Sequence, residues 1–230
     1  MPKPSSGRKR KGVEIPFANS IKEANELAVQ YGLAEKANFA GLDILAANEM
    51  IQYLNLTRND FPDAFDKLEF MGSIKAFRKE FRNKYKLHAS GSPFACCAFP
   101  PDSKKGSFLV NEKLFSSKMY DLGLYDIQQC EKELFHPIGC NTLKSIIDHE
   151  IGHLINRKYD ISHQNKVVHS LFWKYQGKTA DKMMNVLSKY ANKNISEFVS
   201  EAWSEYRNNP QPREVAKTVG REIIKLMKKK

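Results

Sequence analysis

Long apolar runs are missing from this chain. No stretch of its 230 residues approaches the roughly 20 apolar residues that a membrane-spanning helix needs, so no span is expected. The opening Met1-Pro-Lys-Pro-Ser-Ser-Gly-Arg-Lys-Arg-Lys-Gly lacks the apolar centre of a secretory signal. Cysteine is sparse: Cys96, Cys97, Cys130 and Cys140 show no C-x-x-C spacing. Reduced, buried thiols and synthesis in the cytoplasm follow as expectations. No internal repeat is present. Acidic residues are scarce at both ends: residues 1–12 hold five basic and no acidic residues, and residues 221–230 hold five basic residues against Glu222. The ends therefore carry +5 and +4 of the net +11, leaving +2 for the body. Such a body is not a basic nucleic-acid reader. The cluster Arg8, Lys9, Arg10 and Lys11 is the candidate contact to nucleic acid or an acidic partner, and a disordered solubilising tail explains it equally well. Lys228, Lys229 and Lys230 would favour a helix C-terminus through its dipole, with no partner required.

What is present is His149-Glu150-Ile151-Gly152-His153, a match to H-E-x-x-H. Positions i and i+4 share one face of a helix, so both imidazoles can reach one cation. Glu150 then stands where it can take a proton from a zinc-bound water. Leu143, Ile146, Ile147, Ile151, Leu154 and Ile155 recur at helical spacing around the motif, with Asn141 or Thr142 as N-cap. Gly152 costs roughly 1 kcal/mol in mid-helix relative to alanine, and its missing side chain would admit a second backbone or a substrate. The bland alternative is a core helix whose two histidines are satisfied by hydrogen bonds.

A catalytic zinc needs a third protein ligand. Asn156 and Tyr159 occupy the places where a downstream-histidine version of the motif would carry Gly and His, which excludes that version. His163 and His169 are alternatives in a polar stretch. A carboxylate is preferred. Residues 190–206 read as a second helix on which Glu197, Glu201 and Glu205 share one face, while Phe198, Ala202 and Trp203 mark an apolar side. Like charges on one stripe disfavour a helix unless a cation faces them. Zinc would face Glu197, Glu201 would hold the free ring nitrogen of a ligand histidine, and Glu205 reads as part of a solvated acidic face.

Tyr190, Glu197 and Glu201, following His149-Glu150-x-x-His153, resemble the zinc site of the anthrax lethal-factor type of gluzincin metallopeptidase. The resemblance implies that His149, His153 and Glu197 bind Zn2+, that Glu150 is the catalytic base, that Tyr190 steadies the oxyanion or leaving group, and that Glu201 supports a ligand histidine. A second resemblance spans about residues 16–212. Ser20-Ile-Lys-Glu-Ala-Asn-Glu-Leu-Ala, Gly41-Leu-Asp-Ile-Leu-Ala-Ala-Asn-Glu, Leu68-Glu-Phe-Met-Gly-Ser, His136-Pro-Ile-Gly-Cys and Ser188-Lys-Tyr-Ala look like the zinc-metallopeptidase modules of bacteriophages and integrated elements, often attached to head-morphogenesis proteins. It implies a phage- or mobile-element-encoded endopeptidase in the host bacterial cytoplasm, with packaging into a virion open. Its partners would be a protein or peptide substrate on the virion or host side, and no membrane. The alternative from a different class is a virion or nucleic-acid-associated binding protein with a structural or vestigial zinc, motivated by the basic tails.

Organisation is legible at coarse grain. Ser20 with Glu23 suggests a capping box, with Ile21, Ala24, Leu27 and Tyr31 following and Gly32 as the stop. Asp43 is the expected cap of a second helix. Lys75 to Arg82 reads as a basic helix. Residues 93–99 and 107–112 are strand candidates around a Pro-Pro-Asp turn signal, and 107–112 is the candidate edge strand for pairing with a substrate peptide. Residues 166–190 look helical with a break near Gly177. The expected fold is α+β, a zincin-like domain, mainly helical with a small sheet above the active-site helix. The expected division is a basic flexible tail at 1–15, the metallopeptidase domain at 16–208, and a Pro-containing linker with a basic amphipathic helix at 209–230.

Overall fold

A computed structural model describes residues 12–81, 93–99 and 105–228. The order of elements is α1 (Ile21–Gln30), β1 (Ala34–Asn38), α2 (Ile44–Asp60), β2 (Leu68–Ser73), α3 (Ile74–Glu80), β3 (Ala95–Ala98), β4 (Ser107–Val110), α4 (Tyr120–Lys132), α5 (Leu143–Tyr159), α6 (Ile161–Gln164), α7 (Lys166–Tyr175), α8 (Asp181–Val186), a 3-10 turn (Tyr190–Asn192), α9 (Ile195–Asn208) and α10 (Glu214–Lys228). This is an α+β architecture. Among the described residues, no helix is long and apolar enough to cross a membrane. The Arg8–Lys11 cluster lies outside the described residues.

Local chemistry sets the helix starts. Ser20 Oγ accepts from Glu23 N at 3.2 Å, while the Glu23 carboxylate accepts from Asn19 N at 2.7 Å, so the expected capping box closes one residue early. Asp43 caps α2 by accepting from Leu45 N at 2.8 Å. Ala47, Ile51 and Leu54 of α2 are buried. A flanking row of amides on α2 holds the extended N-terminal segment: Asn55 Nδ2 donates to Val13 O (2.7 Å), Gln52 Nε2 to Ile15 O (3.0 Å), and Asn48 pairs both ways with Ala18. Val13 and Ile15, which the sequence assigns to the basic tail, are docked on the domain.

The four strands lie in the order β1-β2-β4-β3, with β1, β2 and β4 parallel and β3 antiparallel to β4. Strand alternation sends Met71, Phe108, Val110 and Ala95 into the main core and Phe70, Leu109 and Ala98 to the opposite face. There Phe77 and Phe81 close a small aromatic cluster with Phe70, at ring separations of 5.5 and 5.7 Å. The placement of β4 corrects the edge-strand expectation for 107–112. All four of its residues are buried and both of its sides are paired, so it is an inner strand. Among the described residues β1 and β3 are the edges, and Cys97 Sγ ties β3 to α5 by donating to Glu150 O at 3.3 Å.

The expected C-terminal amphipathic helix is present. Val215, Val219, Ile223 and Met227 of α10 are buried, and α10 packs on α9. Glu205 is no part of a solvated face. It is fully buried and clasped by Arg213, whose N donates at 2.8 Å, Nε at 3.0 Å and Nη2 at 2.8 Å. A carboxylate removed from water requires such charge-assisted partners. The same guanidinium donates to the carbonyls of Met184 and Leu187. Three segments therefore meet at one buried pair.

Candidate metal centre

Two helices carry the site. Thr142 caps α5 in a reciprocal box with Ser145: each side-chain oxygen accepts from the other's backbone N–H at 3.2 Å. Asn194 caps α9 by accepting from Glu197 N at 3.0 Å. The helices cross where Gly152 meets Ser200, and a Cβ on Gly152 would stand 2.7 Å from Ser200 Cα. Gly152 lies three residues after His149 and one before His153, and Ser200 stands in the same relation to Glu197 and Glu201. The close crossing thus brings the histidine stripe of α5 against the glutamate stripe of α9. Ser204 extends the seam, donating to Ser145 O at 2.8 Å.

Glu197 Oε2 lies 3.3 Å from His149 Nε2 and 3.1 Å from His153 Nε2. Ligand atoms about 2.0–2.1 Å from a tetrahedral zinc stand roughly 3.3 Å from one another, so these three atoms have the mutual spacing of a ligand set. His149, Glu150 and His153 each present a donor atom within 4.8 Å of the others. Glu150 is buried, and its Oε2 has no hydrogen-bond partner. An unpaired buried carboxylate oxygen is costly and marks a place where a further group is accommodated.

Supporting contacts fix the rings. His149 Nδ1 is 2.7 Å from Glu201 Oε1, an ion-pair distance without an aligned hydrogen bond. Glu201 is fully buried, accepts from Ser188 Oγ at 2.6 Å and contacts His136 Nδ1 at 3.1 Å. His153 Nδ1 lies 3.1 Å from Ser196 Oγ, which also accepts from Asn156 Nδ2 at 3.0 Å. His149 and His153 therefore both present Nε2 toward Glu197, with Nδ1 facing Glu201 in the first and Ser196 in the second. Tyr190 OH donates to Glu197 Oε1 at 3.3 Å and accepts from Lys193 Nζ at 3.1 Å.

The charges are strongly coupled. Burial pushes the Glu197 carboxyl up, yet His149 and His153 outweigh it and hold it far below the usual carboxylate range. Burial likewise opposes ionisation of Glu201, but His136 and His149 bring it down to about 2. Burial disfavours a charged His149, and Glu197 and Glu201 override that to raise it well above the usual imidazole value. Burial, then the Glu197 charge, raises the Tyr190 phenol. Without a cation, Glu197 and Glu201 favour a proton on His149.

All six residues singled out from the sequence, His149, Glu150, His153, Tyr190, Glu197 and Glu201, converge. The alternative ligands do not join them: His163 is exposed and 2.5 Å from Asp160, and His169 Nε2 lies 2.6 Å from Ser162 O. Sequence reasoning missed His136, Ser188 and Ser196 as site residues. Ser196, Ser200 and Ser204 did leave a signal, since each directly precedes a glutamate at four-residue spacing. His136 and Ser188 stand in segments that carry the second resemblance, but no helical spacing ties either to Glu201, since His136 reaches the site from a loop. Compared with known proteins, the chain matches no family model, no curated protein and no solved structure.

Proposed function

We propose that this protein is a zinc-dependent endopeptidase with a zincin-like fold of gluzincin type. The observation that carries the reading is Glu197 Oε2 poised between His149 Nε2 and His153 Nε2, beside the unpaired Oε2 of Glu150. His149, His153 and Glu197 hold the ion. When bound, zinc supplies a Lewis acid that polarises a peptide carbonyl and acidifies a water. Glu150 takes the proton of the attacking water and passes it to the leaving amine. Tyr190, whose hydroxyl is already at the site, donates to the developing oxyanion. Glu201 and Ser196 keep the two imidazoles in the tautomer with Nε2 free for metal. Backbone pairing of an extended substrate falls to the edge strand β3 rather than to β4. The binding-protein alternative rests on Arg8–Lys11, outside the described residues, and no observed contact favours it.

The test is zinc content by plasma mass spectrometry, paired with cleavage of a peptide library. Wild type is expected to hold one zinc per chain and His149→Ala/His153→Ala none. Glu150→Gln is expected to keep the zinc and lose on the order of 10²–10⁴ in rate. A wild type that takes up no zinc after reconstitution would overturn the reading.

A further inference from the structure

Beside Glu150 and His149 opens a cavity of about 230 Å³, walled by Phe94, Ala95, Phe135, Ile146 and the ring of Tyr190. Among the described residues, its one polar wall away from the metal-facing residues is His136. That imidazole is only 7 % exposed. It meets Phe135 edge-on at 5.2 Å and Tyr190 at 6.0 Å. Its Nδ1 is committed to Glu201 at 3.1 Å. Among the described residues its Nε2 makes no hydrogen bond, and the ring lines the cavity.

An apolar cavity with one unmatched ring nitrogen discriminates among side chains. A purely apolar occupant such as phenylalanine or leucine would displace water from Nε2 and leave it unpaired, which is penalised. A carboxylate would enter against the negative charges of Glu150 and Glu201. A phenol satisfies every requirement: its ring packs on Phe94, Phe135 and Ile146, and its hydroxyl both donates and accepts. With Nδ1–H turned to Glu201, Nε2 is an acceptor in the neutral ring and a donor in the imidazolium, and a hydroxyl fits either form.

We propose that this cavity is a tyrosine-selecting subsite, in which a substrate tyrosine next to the scissile bond hydrogen-bonds to His136 Nε2. The inference rests on the peptidase reading for its substrate, but its binding test does not. The zinc-reconstituted full chain is titrated with p-cresol and, separately, with toluene, following by NMR the ring signals of Phe135 and Tyr190, which wall the cavity in wild type and variant alike. p-Cresol is expected to bind roughly two- to tenfold more tightly, the share of one well-placed hydrogen bond. Equal affinities, or binding of neither probe, would overturn the subsite from the wild type alone. In His136→Phe, toluene should still bind and the preference vanish; a preference that survives also overturns it. A parallel pair of peptides differing only as tyrosine or phenylalanine separates the two ideas. Cleavage of both at equal rates sinks the subsite and leaves the peptidase standing. A p-cresol preference with no peptide cleaved by zinc-loaded wild type supports the subsite and removes the peptidase reading.

Discussion

Glu201 is the most constrained residue of the site. It is fully buried, yet it serves His149, His136 and Ser188 together. Burying a carboxylate without partners is prohibitive, and three partners on two oxygens resolve that cost. Glu197, one turn earlier, faces the opposite ring nitrogens of the α5 histidines. The two glutamates therefore separate cleanly by experiment. Glu197→Ala should abolish zinc binding, whereas Glu201→Ala should retain zinc with affinity lowered about 10–100-fold. Competition against a chelator measures both, and the reverse ranking would move the ligand assignment by one helical turn. The i, i+4 spacing of these carboxylates was legible in the sequence, as were the histidines. His136 was not, because its contact with Glu201 links a loop to a helix and no local periodicity encodes it.

At the scale of elements, the crossing of α5 and α9 sets the spacing of the histidine and glutamate stripes. Gly152 in an isolated helix would be improved by alanine by about 1 kcal/mol. Here a Cβ would stand 2.7 Å from the backbone of Ser200, so the sign reverses. Gly152→Ala is expected to destabilise by about 1–3 kcal/mol through forced separation of the helices. It should also weaken zinc binding, since the histidine and glutamate stripes move apart together. Denaturant midpoints and zinc titration of the same variant check both effects; unchanged zinc affinity would show that the crossing does not set the site. The sequence flagged Gly152 as a close-approach position without naming the approaching segment. It misassigned β4 as an edge because a four-residue apolar strand has the same pattern whether one or both sides are paired.

At the scale of the whole molecule, the centre couples to protonation. Burial resists charge on His149, but Glu197 and Glu201 prevail and raise its affinity for a proton well above the ordinary imidazole value. Zinc requires the neutral ring, so binding displaces a proton at any pH below that raised value. Affinity should therefore rise with pH, by about one decade per unit for each proton displaced. Chelator competition between about pH 6 and 8 reads this slope, and a flat profile would contradict a protonated metal-free centre. The C-terminal helix belongs to the same whole: Arg213 joins Glu205 of α9 to the carbonyls of Met184 and Leu187, just before Ser188 and Tyr190. By itself, the sequence determined what acts within one helix: the His149–His153 face, the Glu197–Glu201 face, the caps at Ser20 and Asp43, and the apolar stripe of α10. Those depend on spacing of three or four residues, which a helix converts directly into proximity. Only tertiary structure decided that Glu205 is buried against Arg213, that β4 is an inner strand, and that His136 shares Glu201 with His149. Each is a pairing across segments, and its energy comes from desolvation and charge at a contact that no local pattern announces.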